Sequence, residues 1–103
     1  MDQIQKTISD FLKKHHLNEQ AKVDVFFVSK AKIRNLNKKY RNIDKPTDVL
    51  SFPVWNFLDE IPKEGIISLG DIFICKEMVQ GEIKREIPNL VIHSLNHLIG
   101  KHH

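Results

Sequence analysis

The 103 residues predict one small domain that mixes helices with strands. Three observations lead there. Apolar residues recur at helical spacing near both ends of the chain. Short runs rich in β-branched and aromatic residues lie between them. Hydrophobic residues make up 41% of the chain and charged residues 28%, the balance of an ordinary globular protein rather than a disordered one. A chain of this length supports one core and no second one.

Ile4, Ile8, Phe11 and Leu12 set the period of a first helix over about residues 3 to 15, whose other face is charged. Lys22 to Val28 reads as a strand. Ser29 is the N-cap expected for a second helix that ends near Tyr40. The polar stretch 42–46 is a loop, and Asp48-Val49-Leu50-Ser51-Phe52 is a short strand that Pro53 confines to a sheet edge. Residues 54–65 read as an irregular connection to a third strand, Ile66 to Cys75, interrupted at Gly70-Asp71. A small helical piece follows over about residues 76 to 80. Pro88 suits the first turn of a last helix, Leu90, Val91, Leu95 and Leu98 give that helix its apolar face, and Gly100 ends it.

The bulk properties exclude some functions. Cys75 is the single cysteine, which rules out an intramolecular disulfide and suits a reducing, cytoplasmic setting. Its place in the run Ile72-Phe73-Ile74-Cys75 marks a buried structural thiol rather than a nucleophile. No apolar run approaches the roughly 20 residues that span a bilayer, so no membrane partner is expected. A net charge of +3 permits an anionic partner without demonstrating one.

Four of the six histidines lie in the last eleven residues. His93 and His97, four apart on the last helix, stand about 40° apart around its axis, so both imidazoles can reach one ion. A left-handed turn at Gly100 would bring His103 back as a third ligand. Three neutral imidazoles suit one zinc ion with water in the fourth position, as in a catalytic site. Chance clustering of surface histidines, or a tag origin for His102-His103, are the bland alternatives. His15 and His16 read as solvated residues near a helix C-terminus. The spacing H-x3-H-x2-G-x2-H also matches the metzincin proteases, but Ser94 stands where they carry the glutamate base, which disfavours peptide hydrolysis.

Lys30, Arg34, Lys38 and Arg41 fall within about 80° around the second helix and form one basic stripe. The stripe has no acidic partners at i+4, which points to phosphate binding. Arg41, next to the polar loop, suits bidentate phosphate contact.

Leu36-Asn37-x-x-Tyr40-Arg41, Pro46-Thr47-Asp48-Val49-Leu50-Ser51-Phe52-Pro53, Leu69-Gly70-Asp71-Ile72 and the histidine cluster, in that order, closely resemble the YbeY family of metal-dependent, single-strand-specific endoribonucleases. The resemblance covers nearly the whole chain, 1–103, as one domain. It implies an α+β fold, with a small mixed sheet of about four strands packed with helices and the metal-binding histidines on the C-terminal helix. It implies cleavage of single-stranded RNA in ribosomal RNA maturation and ribosome quality control, with rRNA or the ribosome as partner. Carried over by position, His93, His97 and His103 match the ligands of one zinc ion and Arg41 the catalytic, phosphate-binding arginine. Lys30, Arg34 and Lys38 extend the RNA-binding surface, Asp48 and Ser51 fall at the groove's edge, and Asp71 takes a structural role. The family pattern H-G-x-L-H-L-x-G-Y-D-H is altered here at Ser94, Asn96 and Lys101-His102, and the segment between Asp71 and His93 reads as shortened. A non-catalytic RNA- or ribosome-binding module with a structural metal is the competing reading, and a zinc protease a weaker one.

Overall fold

A computed structural model describes residues 2–100. It contains helix α1 (Gln3–Lys14), strand β1 (Lys22–Phe27), helix α2 (Lys30–Arg41), strand β2 (Val49–Pro53), strand β3 (Ser68–Ile74) and helix α3 (Ile83–Leu98). Single 3-10 turns at Leu58–Glu60 and Lys76–Met78 punctuate the connections. The fold is the expected α+β mixture. Its sheet has three strands among the described residues, rather than about four, in the order β1-β3-β2. β3 lies parallel to β1 and antiparallel to β2, so the sheet is mixed.

β3 is central because its residues are apolar toward both faces. Ile72 and Ile74, both fully buried, join the main core with Ile8, Phe11 and Leu12 of α1 and Ile87, Val91, Leu95 and Leu98 of α3. Phe73 and the buried Cys75 turn to the opposite face, where Ile33 and Leu36 of α2 meet Leu50 and Phe52 of β2. Each buried aliphatic or aromatic side chain contributes roughly 1.5–3 kcal/mol relative to exposure. Cys75 is thus the structural thiol expected from its apolar run.

Local signals set the helix ends. The Asp2 carboxylate caps α1 by accepting from the Gln5 N–H at 2.9 Å, and the Ser29 hydroxyl caps α2 by accepting from the Lys32 N–H at 3.1 Å. Gly100, at φ +89°, follows the C-cap of α3 as expected. Pro88 departs from expectation. It lies inside α3 rather than in its first turn, because the helix starts at Ile83, where Arg85 and Glu86 donate to the Glu82 carbonyl. Proline there forfeits one backbone hydrogen bond. The buried Ile87, packed in the main core, holds the additional turn in place.

β3 is also not interrupted at Gly70-Asp71. Its register instead shifts by one residue: Lys22 pairs with Ser68 and Val23 with Gly70, leaving Leu69 as the extra residue of a bulge. Leu69 turns into the core, 1% exposed. Gly70 takes φ +138°, and a Cβ there would stand 2.2 Å from the Phe52 carbonyl oxygen and 2.9 Å from Leu98 Cδ2. Only glycine permits this three-way approach of β3, β2 and α3. Gly70→Ala should therefore lower unfolding stability by about 2 kcal/mol or more in denaturant titration; a loss below about 0.5 kcal/mol would contradict the close packing.

Candidate functional site

The three-way approach at Gly70 brings α3 alongside β2. Along this seam the two elements ascend together: residues 46–48 lie near Glu86 and Leu90, and residues 49–51 near His93, Ser94 and His97. Two cavities follow one another. One of about 410 Å³ is lined by Thr47, Asp48, Glu86 and Leu90 among others. The next, about 250 Å³, is lined by Arg41, Val49, Leu50, Ser51, His93, Ser94 and His97.

The second cavity unites residues that sequence spacing placed in separate groups. His93 and His97 reach it from α3, four residues apart, as helical geometry requires. His93 is exposed and His97 half-buried. Ser51 Oγ is hydrogen bonded to His97 Nδ1. With Nδ1 engaged by Ser51, a metal bond from His97 would run through Nε2, a bond that requires the Nδ1–H tautomer with the proton donated to Ser51. Ser51 therefore does more than edge a groove: it orients a histidine. Asp48 lies one cavity away, held in place by its carbonyl, which accepts from the Cys75 N–H at 2.9 Å.

Arg41 arrives from the end of α2. Its Nη2 donates to the Ser51 carbonyl at 2.8 Å, and its guanidinium lies 5.0 Å from the Phe52 ring centroid. The ring and the carbonyl fix the plane of the guanidinium and occupy only part of its donor set. The turn that follows α2 is equally well held. Asn42 ends the helix in the left-handed conformation, and the buried Asn37 side chain donates to the Lys45 carbonyl at 2.9 Å.

The basic stripe divides in the folded chain. Asp44, in the loop after α2, accepts from Arg34 Nε at 2.8 Å and stands 4.0 Å from Lys38 Nζ. The expectation of a stripe without acidic partners holds along the helix but not in space. The hydrogen bond from Arg34 holds the Asp44 carboxyl below its ordinary range, with desolvation opposing and the Arg34 and Lys38 charges assisting. The same bond raises Arg34. Both side chains are half exposed, so the pair orders the loop more than it stabilises the fold. Arg41, by contrast, is turned toward the histidines, and Lys30 stands exposed at the other end of the stripe. Asp71 is half-buried on β3, opposite Asp24 and Phe52.

Among the described residues, no group of three or more His, Cys, Asp or Glu side chains is placed to hold a metal ion. His93 and His97 form a pair on one cavity, and His103, the expected third ligand, lies outside the described residues. Two imidazoles, one of them oriented by a hydroxyl, suit a borderline transition metal as part of its ligand set. Sequence reasoning missed two features of this cavity. One is the Ser51–His97 contact, which spans 46 residues. The other is Ser94, which is 1% exposed and whose Oγ finds no hydrogen-bond partner among the described residues. Such an orphan typically costs about 1–3 kcal/mol.

Asp44 supplies a pH test. Its folded pKa is lowered, so the loop tie is present above the ordinary carboxylate range and is lost as pH falls through the lowered value. Carboxyl NMR titration should place the Asp44 midpoint below that of an exposed aspartate near ~3.9, and Arg34→Ala should return it there. An ordinary midpoint in the unsubstituted chain would contradict the pairing.

The family model described as endoribonuclease YbeY matches residues 1–103. A protein of Thermoanaerobacter sp. (strain X514) called endoribonuclease YbeY is 39% identical over 115 residues, covering 97% of this chain and 72% of the relative. Proteins of the same name from Acholeplasma laidlawii and Staphylococcus epidermidis (strain RP62A) are 40% and 36% identical, over 84% and 100% of this chain and 64% and 73% of their own lengths. With the match running from end to end, the chain belongs to the endoribonuclease YbeY family.

Proposed function

We propose that this chain is a metal-dependent endoribonuclease that cleaves single-stranded RNA, acting in the cytoplasm on ribosomal RNA during maturation and ribosome quality control. One observation carries the reading: a cavity lined by one arginine, two histidines and two serines, with no carboxylate among its lining residues. Such a lining favours an oxyanion over a neutral peptide. The family's name supports RNA as the polymer.

Arg41 is the catalytic residue that holds the scissile phosphate. It is pre-oriented by Phe52 and the Ser51 carbonyl, so it need not reorganise as charge builds on the phosphoryl oxygens. Lys30, Arg34 and Lys38 lead the backbone of the strand along α2 toward it, with Arg34 and Lys38 shared between Asp44 and RNA. Asp48 borders the path at the neighbouring cavity. His93 and His97, with His103 as the third donor, would hold one zinc ion, and the Ser51 contact at Nδ1 would leave Nε2 of His97 for it. When bound, the ion supplies Lewis acidity toward a phosphoryl oxygen and makes water a better nucleophile. That role replaces the protein base that Ser94 cannot be. A cavity of about 250 Å³ between a helix and a strand edge suits a flexible single strand, whose phosphates can enter one at a time, better than a stiff duplex.

Purified protein should cut single-stranded RNA faster than duplex RNA and lose activity with a chelator and in His97→Ala. Arg41→Ala should reduce kcat/KM by about 10²-fold or more while leaving the fold intact by circular dichroism. Activity that survives both chelation and His97→Ala would overturn the metal-dependent reading. RNA affinity that survives chelation while the melting temperature falls, with no cleavage in any condition, would favour the non-catalytic binding module. Metal-dependent cleavage of an unfolded protein would revive the protease.

A further inference from the structure

Four aromatic rings form a continuous row on the face of the sheet turned away from the main core. The Tyr40 ring meets the Phe52 ring edge-on at 5.2 Å between centroids, Phe52 meets Phe73 at 5.7 Å, and Phe73 stacks on Phe26 at 5.1 Å. From the end of α2 the row crosses the described strands in turn, with Phe52 on β2, Phe73 on β3 and Phe26 on β1. Strand alternation produces it. Phe26 and Phe73 are register partners, and Phe52 pairs with Asp71, two residues before Phe73 and so on the same face. The two central rings are half-buried and pack on the smaller core beside Ile33 and Leu36 of α2. The two end rings join neither core cluster: Phe26 is 45% exposed and Tyr40 52%. Core packing accounts for the middle of the row and leaves its ends unexplained.

Charge around the row is divided. At the α2 end, the Arg41 guanidinium lies 5.0 Å from the Phe52 centroid and Lys39 Nζ lies 5.2 Å from the Tyr40 centroid. Arg41 also lines the cavity of the two histidines, so it joins that cavity to the row. At the β1 end, Asp24 is the register partner of Asp71 on the face that carries the rings, and neither carboxylate is in an ion pair among the described residues. A polyanion laid on this face keeps its phosphates at the cationic end. A group that reaches from that backbone toward β1 fits when it is flat, uncharged and rimmed with hydrogen-bond donors for the carboxylates. A nucleobase bearing amino groups has these properties. An apolar protein segment would meet the rings equally well, but it would leave the cations at one end and the carboxylates at the other without partners.

We propose that Tyr40, Phe52, Phe73 and Phe26 form a base-stacking surface for single-stranded RNA, holding about two or three bases beside the phosphate that Arg41 binds. The assignment rests on the proposed RNA substrate and deepens it. Phosphate is recognised at the seam between α3 and β2, bases are recognised on the sheet face, and Arg41 stands between the two. A duplex cannot use such a surface, because its bases already stack on one another and pair inward. Preference for single strands then has a second cause besides the size of the cavity.

The test compares two ligands by equilibrium binding: a single-stranded 2′-O-methyl oligocytidylate about ten nucleotides long, and an abasic chain of the same length that carries the phosphates without the bases. Phe26→Ala and Tyr40→Ala should each weaken binding of the oligocytidylate by about three- to tenfold and change binding of the abasic chain by less than about twofold. Phe26→Trp should keep wild-type affinity. Phe26→Leu, which retains an apolar side chain and loses the flat ring, should bind as weakly as Phe26→Ala, and it is read instead if the alanine variant does not fold. A wild type that binds both chains equally would overturn the proposal and leave the rings to a protein partner. Variants that keep full affinity for the oligocytidylate, or lose affinity for both chains alike, would also overturn it. Cleavage of single-stranded RNA is scored separately. A wild type that binds with base preference yet cuts nothing removes the nuclease reading and leaves the surface standing, whereas cleavage by wild type with unchanged binding in both alanine variants removes the surface alone.

Discussion

The arrangement depends on one close approach. At Gly70 the backbone of β3 comes so near the Phe52 carbonyl and the Leu98 side chain that a single methyl group would not fit. Leu98 is one residue beyond His97, and Phe52 is one residue beyond Ser51. The contact therefore clamps together the elements whose neighbouring residues, Ser51 and His97, form the hydrogen bond at the cavity. The bulge at Leu69 adds the extra residue that lets β3 satisfy this geometry while keeping Ile72 and Ile74 in the core. Site and core share one constraint, so a change that loosens the packing of β3 also moves the histidines away from the arginine.

On that frame, charge is distributed by function. Arg34 and Lys38 share Asp44 and order the loop that enters β2, whereas Arg41, seven residues beyond Arg34, is anchored by an aromatic face and a carbonyl. Neither anchor neutralises it. An arginine kept in position by uncharged partners retains its full charge for an incoming anion, and it loses little entropy when that anion binds. A hydroxyl rather than a carboxylate orients His97, so the cavity stays free of negative charge.

Much of this was legible in local sequence. The cap at Ser29, the glycine after α3, the placement of His93 and His97 on one face of a helix and the buried Cys75 follow from side-chain chemistry or helical period alone, and the structure bears them out. What was not legible is tertiary. Pro88 looks like a helix start, yet core contacts of Ile87 carry the helix a turn earlier. Asp44 pairs with Arg34 across ten residues, a spacing that no helical rule anticipates. Asp48 and Ser51 look like neighbours in one motif, but they line successive cavities along the seam. Ser94 reads from sequence only as a missing base, and its burial without a partner among the described residues is a tertiary outcome. His103 falls outside the described residues, so its part in the metal site rests on spacing and family resemblance.

The central claim is that the seam presents His93 and His97 to one ion, with His97 using Nε2 because Ser51 occupies Nδ1. Ring-nitrogen NMR of the histidines during a zinc titration tests it most directly. The expected result is saturation near one equivalent, with Nε2 of His97 and one nitrogen of His93 shifting together while Nδ1 of His97 stays protonated and bonded to Ser51. An Nδ1 of His97 without its proton at saturation, or zinc saturation with His93 and His97 both unmoved, would contradict the account.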